Sequence, residues 1–189
     1  MGKRIFVIAI SCLGILFTLY FFTFLSSEPT HLAIPTTSLE ESICKKVTEQ
    51  FGDCQRILMF DARSNLVFIE SSSGIIPVLT NQEFTDFKKF IYPIMDFQEF
   101  NEEKVERGPI DWRADNHVQE DFSIIYGFAE DGAKTIVINS EGNIQPNRFL
   151  VRDNLWVWYA TFKNDVQLPV DVTVYDGDGQ IIYGEKAGE

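Results

Sequence analysis

FSIIYGFAEDGAKTIVINSEGNIQPNRFLVRDNLWVWYATF, residues 122–162, is rich in branched and aromatic residues and is broken at Asp131-Gly132, Glu141-Gly142-Asn143 and Asp153-Asn154. Short apolar runs closed by turn residues at intervals of about 8 to 12 positions are the pattern of a small sandwich or a strongly curved sheet. Continued to Tyr183, the pattern predicts strands over 122–129, 134–139, 144–151, 155–162, 170–175 and 180–183. Pro146 marks an edge strand, because it has no N–H to give to a central ladder. Alternation puts Trp156, Trp158, Ala160 and Phe162 on one face of a strand and Leu155, Val157, Tyr159 and Thr161 on the other. Both faces are substantially apolar, so packing on both sides is favoured over an exposed tryptophan platform for carbohydrate or peptide.

Upstream, Ser38 and Glu41 make a capping box, and Leu39, Ile43, Val47 and Phe51 form an apolar stripe closed by Gly52. Three short strands follow over 56–61, 66–70 and 75–79, as an antiparallel meander. A second helix is predicted after Thr80 or Asn81, with Phe84, Phe87, Phe90 and Ile91 on one face and Pro93 as its stop. Residues 93–121 are acidic and irregular, longer than an ordinary loop. Phe97, Phe100, Ile110 and Trp112 in this stretch are the candidate contact surface, against the alternative of a disordered crossover or an irregular strand.

The N-terminus carries a different signal. Residues 5–25 hold no charge and as a helix would extend about 31 Å, the thickness of a hydrocarbon core. Lys3 and Arg4 precede this segment and Glu28 follows it, which predicts a cytoplasmic N-terminus and an exported remainder. The apolar run is longer than the core of a cleaved signal peptide, continues past Cys12 in a way lipid attachment does not require, and has Phe6 where myristoylation wants Ser or Thr. A signal-anchor is therefore expected, with a cytoplasmic tail at 1–4, a single-pass transmembrane helix at 5–25, a tether at 26–37, an α+β region at 38–121 and a β-rich region at 122–189.

The formal charge of −12 over 189 residues argues against nucleic acid as a partner, since phosphate backbones are bound through Lys and Arg. Acidity also confers solubility with no partner implied. Cys44 and Cys54, ten positions apart on the exported side, either form a disulfide or stay as two partly buried thiols. His31 and His117 are isolated, so no zinc site and no serine-type triad is expected, and phosphate-binding glycine loops are absent. No cofactor is expected. Asp176-Gly177-Asp178-Gly179 begins like a calcium loop but has Ile181 and Ala187 where the turn glycine and the bidentate acid belong, so it reads as a hairpin turn.

With Trp156-Val157-Trp158-Tyr159, Pro169-Val170 and the strand-turn-strand run from Val174 to Tyr183, the closing stretch resembles uncharacterised single-pass exported proteins of spore-forming Gram-positive bacteria. The resemblance covers the anchor and roughly the last 60 residues. It implies a bacterial cell-envelope address and carries over no functional residue.

The expected class is thus α+β: a membrane anchor, a helix-plus-antiparallel-sheet region and a sandwich-like C-terminal half. The expected role is a non-enzymatic interaction or accessory module with an envelope protein as partner. One rival is a tethered hydrolase using Asp111, Asp115, Glu120 and Asp121, because paired carboxylates can share acid and base roles. Another is a ligand-sensing ectodomain that acts through a partner.

Overall fold

A computed structural model describes residues 36–184. The expected anchor at 5–25 and the expected tether at 26–37 as far as residue 35 lie outside the described residues; the last two tether positions, 36 and 37, belong to the first described helix. The described elements run α1 (Thr36–Phe51), β1 (Arg56–Asp61), β2 (Leu66–Glu70), β3 (Gly74–Thr80), β4 (Phe87–Phe90), β5 (Met95–Asp96), α2 (Phe97–Arg107), β6 (Arg113–Gln119), β7 (Phe122–Glu130), β8 (Thr135–Ile138), β9 (Asn147–Arg152), β10 (Leu155–Phe162), β11 (Val172–Tyr175) and β12 (Ile181–Tyr183). The class is therefore corrected from α+β to mostly β, with two helices and twelve strands among the described residues. Among the described residues no helix is long and apolar enough to cross a membrane.

The strands make three antiparallel sheets, and period-two alternation stacks them. The first has the order β1-β2-β3-β4, with β5 also on β3; the second is β6-β7-β10-β9; the third is β12-β11-β8. In the first sheet Val67, Ile69, Ile76 and Val78 face Leu39, Ile43 and Val47 of α1. Its other face sends Leu66, Phe68, Ile75 and Leu79 into a core shared with Tyr126, Phe128, Val157 and Tyr159 of the second sheet. The second sheet in turn presents Ile125, Trp158 and Ala160 to Ile136, Ile138, Val172 and Val174 of the third. The order of layers is helix, sheet, sheet, sheet. Both faces of β10 are packed, and Trp158 is fully buried.

α1 starts at Thr36, so Ser38 lies within it rather than at its cap. A disulfide between Cys44 and Cys54 ties α1 to the approach of β1.

The helix expected after residue 80 is instead a turn and strand β4. Asn81 explains the difference: its side-chain oxygen accepts from the Thr85 and Asp86 N–H groups, which closes a turn in place of a first helical turn. Phe87 pairs with Thr80 and Phe90 with Val78, with a register shift between Leu79 and Thr80. That irregularity brings Phe87 and Phe90, which alternation would separate, against the same core as α1.

Residues 93–121, expected to be irregular, hold α2 and β6. Asp96 caps α2, its carboxylate accepting from the Gln98 and Glu99 N–H groups, and Gly108 ends it at a φ of 96°. β6 pairs with β7, so residue 121, where the sequence pattern changes, lies inside a hairpin of the second sheet.

Candidate functional site

The candidate contact residues do not form a surface. Phe97 and Phe100 are buried on α2 with their rings 5.5 and 5.3 Å from that of Phe128. Ile110 is buried and Trp112 packs partly against the core between the second and third sheets. Apolar residues between two sheets gain more from burial than from solvent, so the acidic stretch that seemed loose is pinned by its own aromatics.

The four acidic residues of the hydrolase reading are placed as follows. Asp111 is 7% exposed, and each carboxylate oxygen has a donor: Oδ1 accepts from the Phe128 N–H at 2.5 Å and Oδ2 from Arg113 at 3.0 Å. Burial raises its pKa, against the opposing pull of Phe128 and Arg113. Burial also raises the pKa of Asp115, with Lys89 opposing. Arg113 lies between these two acids in sequence and also bonds Glu99 of α2 at 2.7 Å, so the cluster is a clasp between helix and sheet. Glu120 and Asp121 sit in the turn between β6 and β7. His117 is exposed and 3.2 Å from Asp165.

What the fold does open is a cleft of about 410 Å³ beside α2. Three segments distant in sequence form it. The β2–β3 turn supplies Ser72, α2 supplies Phe97, Phe100, Asn101 and Lys104, and the β9–β10 turn supplies Arg152, Asp153, Asn154 and Leu155, with Glu130 from the end of β7. Its base is apolar and its rim polar, a combination common to binding sites.

Each wall is set by a local interaction. Asp53 accepts from the N–H of Ser72 and, at 2.9 Å, from its hydroxyl, which fixes the first turn. The backbone bond from Ser72, then its hydroxyl, holds the Asp53 carboxyl below its ordinary range. Lys104 pairs with Glu130 at 2.8 Å and so fastens α2 to β7. Arg152, exposed at the end of edge strand β9, places its guanidinium carbon 3.4 Å from the centroid of the Phe97 ring. A second groove, of about 550 Å³, adjoins the first, sharing Ser72, Phe97 and Asn101 and continuing past Ser73, Gln98 and Glu102. Together they make a trough along α2.

Of the residues the sequence pattern offers as a contact surface, Phe97 and Phe100 both line the cleft, as its buried base rather than as exposed groups. The available signal was Asp96-x-x-Glu99 ahead of Gly108-Pro109, which frames a helix and so pairs Phe97 with Phe100 and Lys104 on one side. Compared with known protein families, curated proteins and solved structures, the chain matches none.

Proposed function

We propose that the chain is a non-enzymatic binding module of the bacterial cell envelope. In this reading residues 5–25 anchor it in the membrane with the N-terminus cytoplasmic, and a partner protein docks in the trough beside α2. The anchor rests on the uncharged run and the flanking Lys3 and Arg4. The docking place rests on one observation: a polar-rimmed cleft with the base of Phe97, Phe100 and Leu155, walled by two hairpin turns and a helix. Of the carboxylates that would serve a hydrolase, Asp111 is better explained as structure, because it spends both oxygens on Phe128 and Arg113.

Asn101 is exposed and lines both halves of the trough, so its substitution tests this reading without touching the core. Asn101→Trp fills the cleft. The expected result is at least a tenfold loss, by the order of magnitude of a blocked interface centre, of the complex recovered with the full-length protein, with an unchanged thermal unfolding curve. Full recovery of the complex with the cleft filled would place the partner elsewhere.

A further inference from the structure

We infer that Arg152 is the recognition residue of the trough and that it receives a carboxylate carried on an extended segment of the partner protein. The inference rests on the binding-module reading and specifies its chemistry.

Arg152 differs from the other described cations in being held over a ring with none of its donors used. Lys46, Arg56, Lys104, Arg107, Arg113 and Lys134 each have a carboxylate within 4 Å. Lys88, Lys89 and Arg148 have no carboxylate there among the described residues but donate to oxygens of Gln119, Val118, Ala133 and Lys134, Arg148 while lying over Trp156. Lys45, Arg63 and Lys163 have no described carboxylate within 4 Å and lie over no described ring. Arg152 has no ion pair and no hydrogen-bond acceptor among the described residues; its contact is the Phe97 ring. A cation held over an aromatic ring spends none of its N–H donors there. The guanidinium is thus held in place with its donor fork unused, which is the arrangement that suits bidentate binding of a planar carboxylate.

The surroundings narrow the ligand to one negative charge at this end. Lys104 is already matched by Glu130, and Asp153 stands next to Arg152 in the chain, so a multiply charged anion would meet repulsion as well as attraction. The far half of the trough carries Glu102 and Asp96, which disfavours a second acid there. The capped start of α2 is not the anion site, since Asp96 itself takes the Gln98 and Glu99 N–H groups. The two adjoining grooves and their amide and hydroxyl groups, from Gln98, Asn101, Ser72 and Ser73, fit an extended peptide that passes an acidic side chain or a C-terminal carboxylate over Arg152.

The test places a photo-crosslinking amino acid at Asn154, an exposed position on the cleft wall beside Arg152, in the full-length chain and compares adduct yield in intact cells with and without Arg152→Gln. Arg152 is exposed, so the variant folds, which its unfolding curve verifies. Loss of one charge-assisted bidentate contact is expected to lower the yield about tenfold. Arg152→Lys recovers part of it and Glu102→Gln none of the loss. Peptide mapping of the adduct finds Asp, Glu or a C-terminus beside the crosslinked position. An undiminished yield in Arg152→Gln, or a crosslinked position with no Asp, Glu or native C-terminus of the partner within a few residues, overturns the inference and leaves the module standing. Absence of any Asn154 adduct in the parent chain overturns both.

Discussion

Gly127→Ala is expected to destabilise the protein by about 3 kcal/mol or more, a large fraction of the stability of an ordinary domain. The cause is space. A Cβ built on Gly127 would stand 2.1 Å from the backbone oxygen of Asp111 and 2.8 Å from the Trp112 Cα, and neither is the free end of a flexible side chain. The residues that would have to move are tied by several bonds. The Asp111 N–H donates to Phe128, the Glu130 N–H donates to Pro109, and the Trp158 indole reaches the carbonyls of Asp111 and Phe128. Gly127 is also the cross-strand partner of Trp158 in the centre of the second sheet. One methyl group therefore acts on the approach to β6, on β7 and on the largest buried side chain together. Urea unfolding followed by tryptophan fluorescence measures the effect. A midpoint within error of the parent would contradict the packing described between the 109–112 segment and β7.

Arg113→Ala is expected to cost about 3 to 5 kcal/mol near neutral pH, because it leaves Asp111 buried with an uncompensated charge and releases Glu99 on α2. The pH dependence identifies the cause. Asp111 has a folded-state pKa above its ordinary value, burial outweighing the bonds from Phe128 and Arg113. For such a carboxyl the fold disfavours the ionised form, so its effect on stability is most favourable below the unfolded pKa and worsens as pH rises through the folded one. Removing Arg113 takes away an attraction and a hydrogen bond that hold the folded pKa down, so the window of lost stability extends upward. The difference in unfolding free energy between parent and variant is thus expected to be largest at neutral pH and to shrink on acidification as Asp111 takes a proton. Chemical unfolding at a series of pH values reads it directly. A difference that is flat or grows on acidification would show that lost packing of Arg113, not the charge on Asp111, causes the damage.

Much of the β architecture is legible in the sequence, and the reasons are local. β10 spans Leu155–Phe162, the residues that alternation marks, because strong strand formers fill both faces and Asp153-Asn154 fixes its start. α1 is legible from its four-residue stripe, though its start is two residues earlier than Ser38. The errors come where two periodicities compete. Phe84, Phe87 and Phe90 repeat at a helical spacing, yet the Asn81 turn and the irregular pairing of β4 satisfy the same burial in a strand. Residues 93–121 are dominated by charge, which hid both the Asp96 cap of α2 and the alternation of β6. The cleft could not be read at all. It joins Ser72, Asn101 and Arg152, brought together only by the stacking of the first two sheets and the packing of α2 at their side. A free Arg in a sequence is not distinguishable from a paired one until the fold shows where its neighbours lie.

The binding reading is tested most directly by site-specific photo-crosslinking in the cells that make the protein. Positions Asn154 and Gln98, one in each half of the trough, are compared with Lys45 on the exposed side of α1. Both trough positions are expected to give an adduct of the same mass and Lys45 none. Equal labelling from Lys45, or adducts of unrelated mass from the two trough positions, would contradict a docking site beside α2.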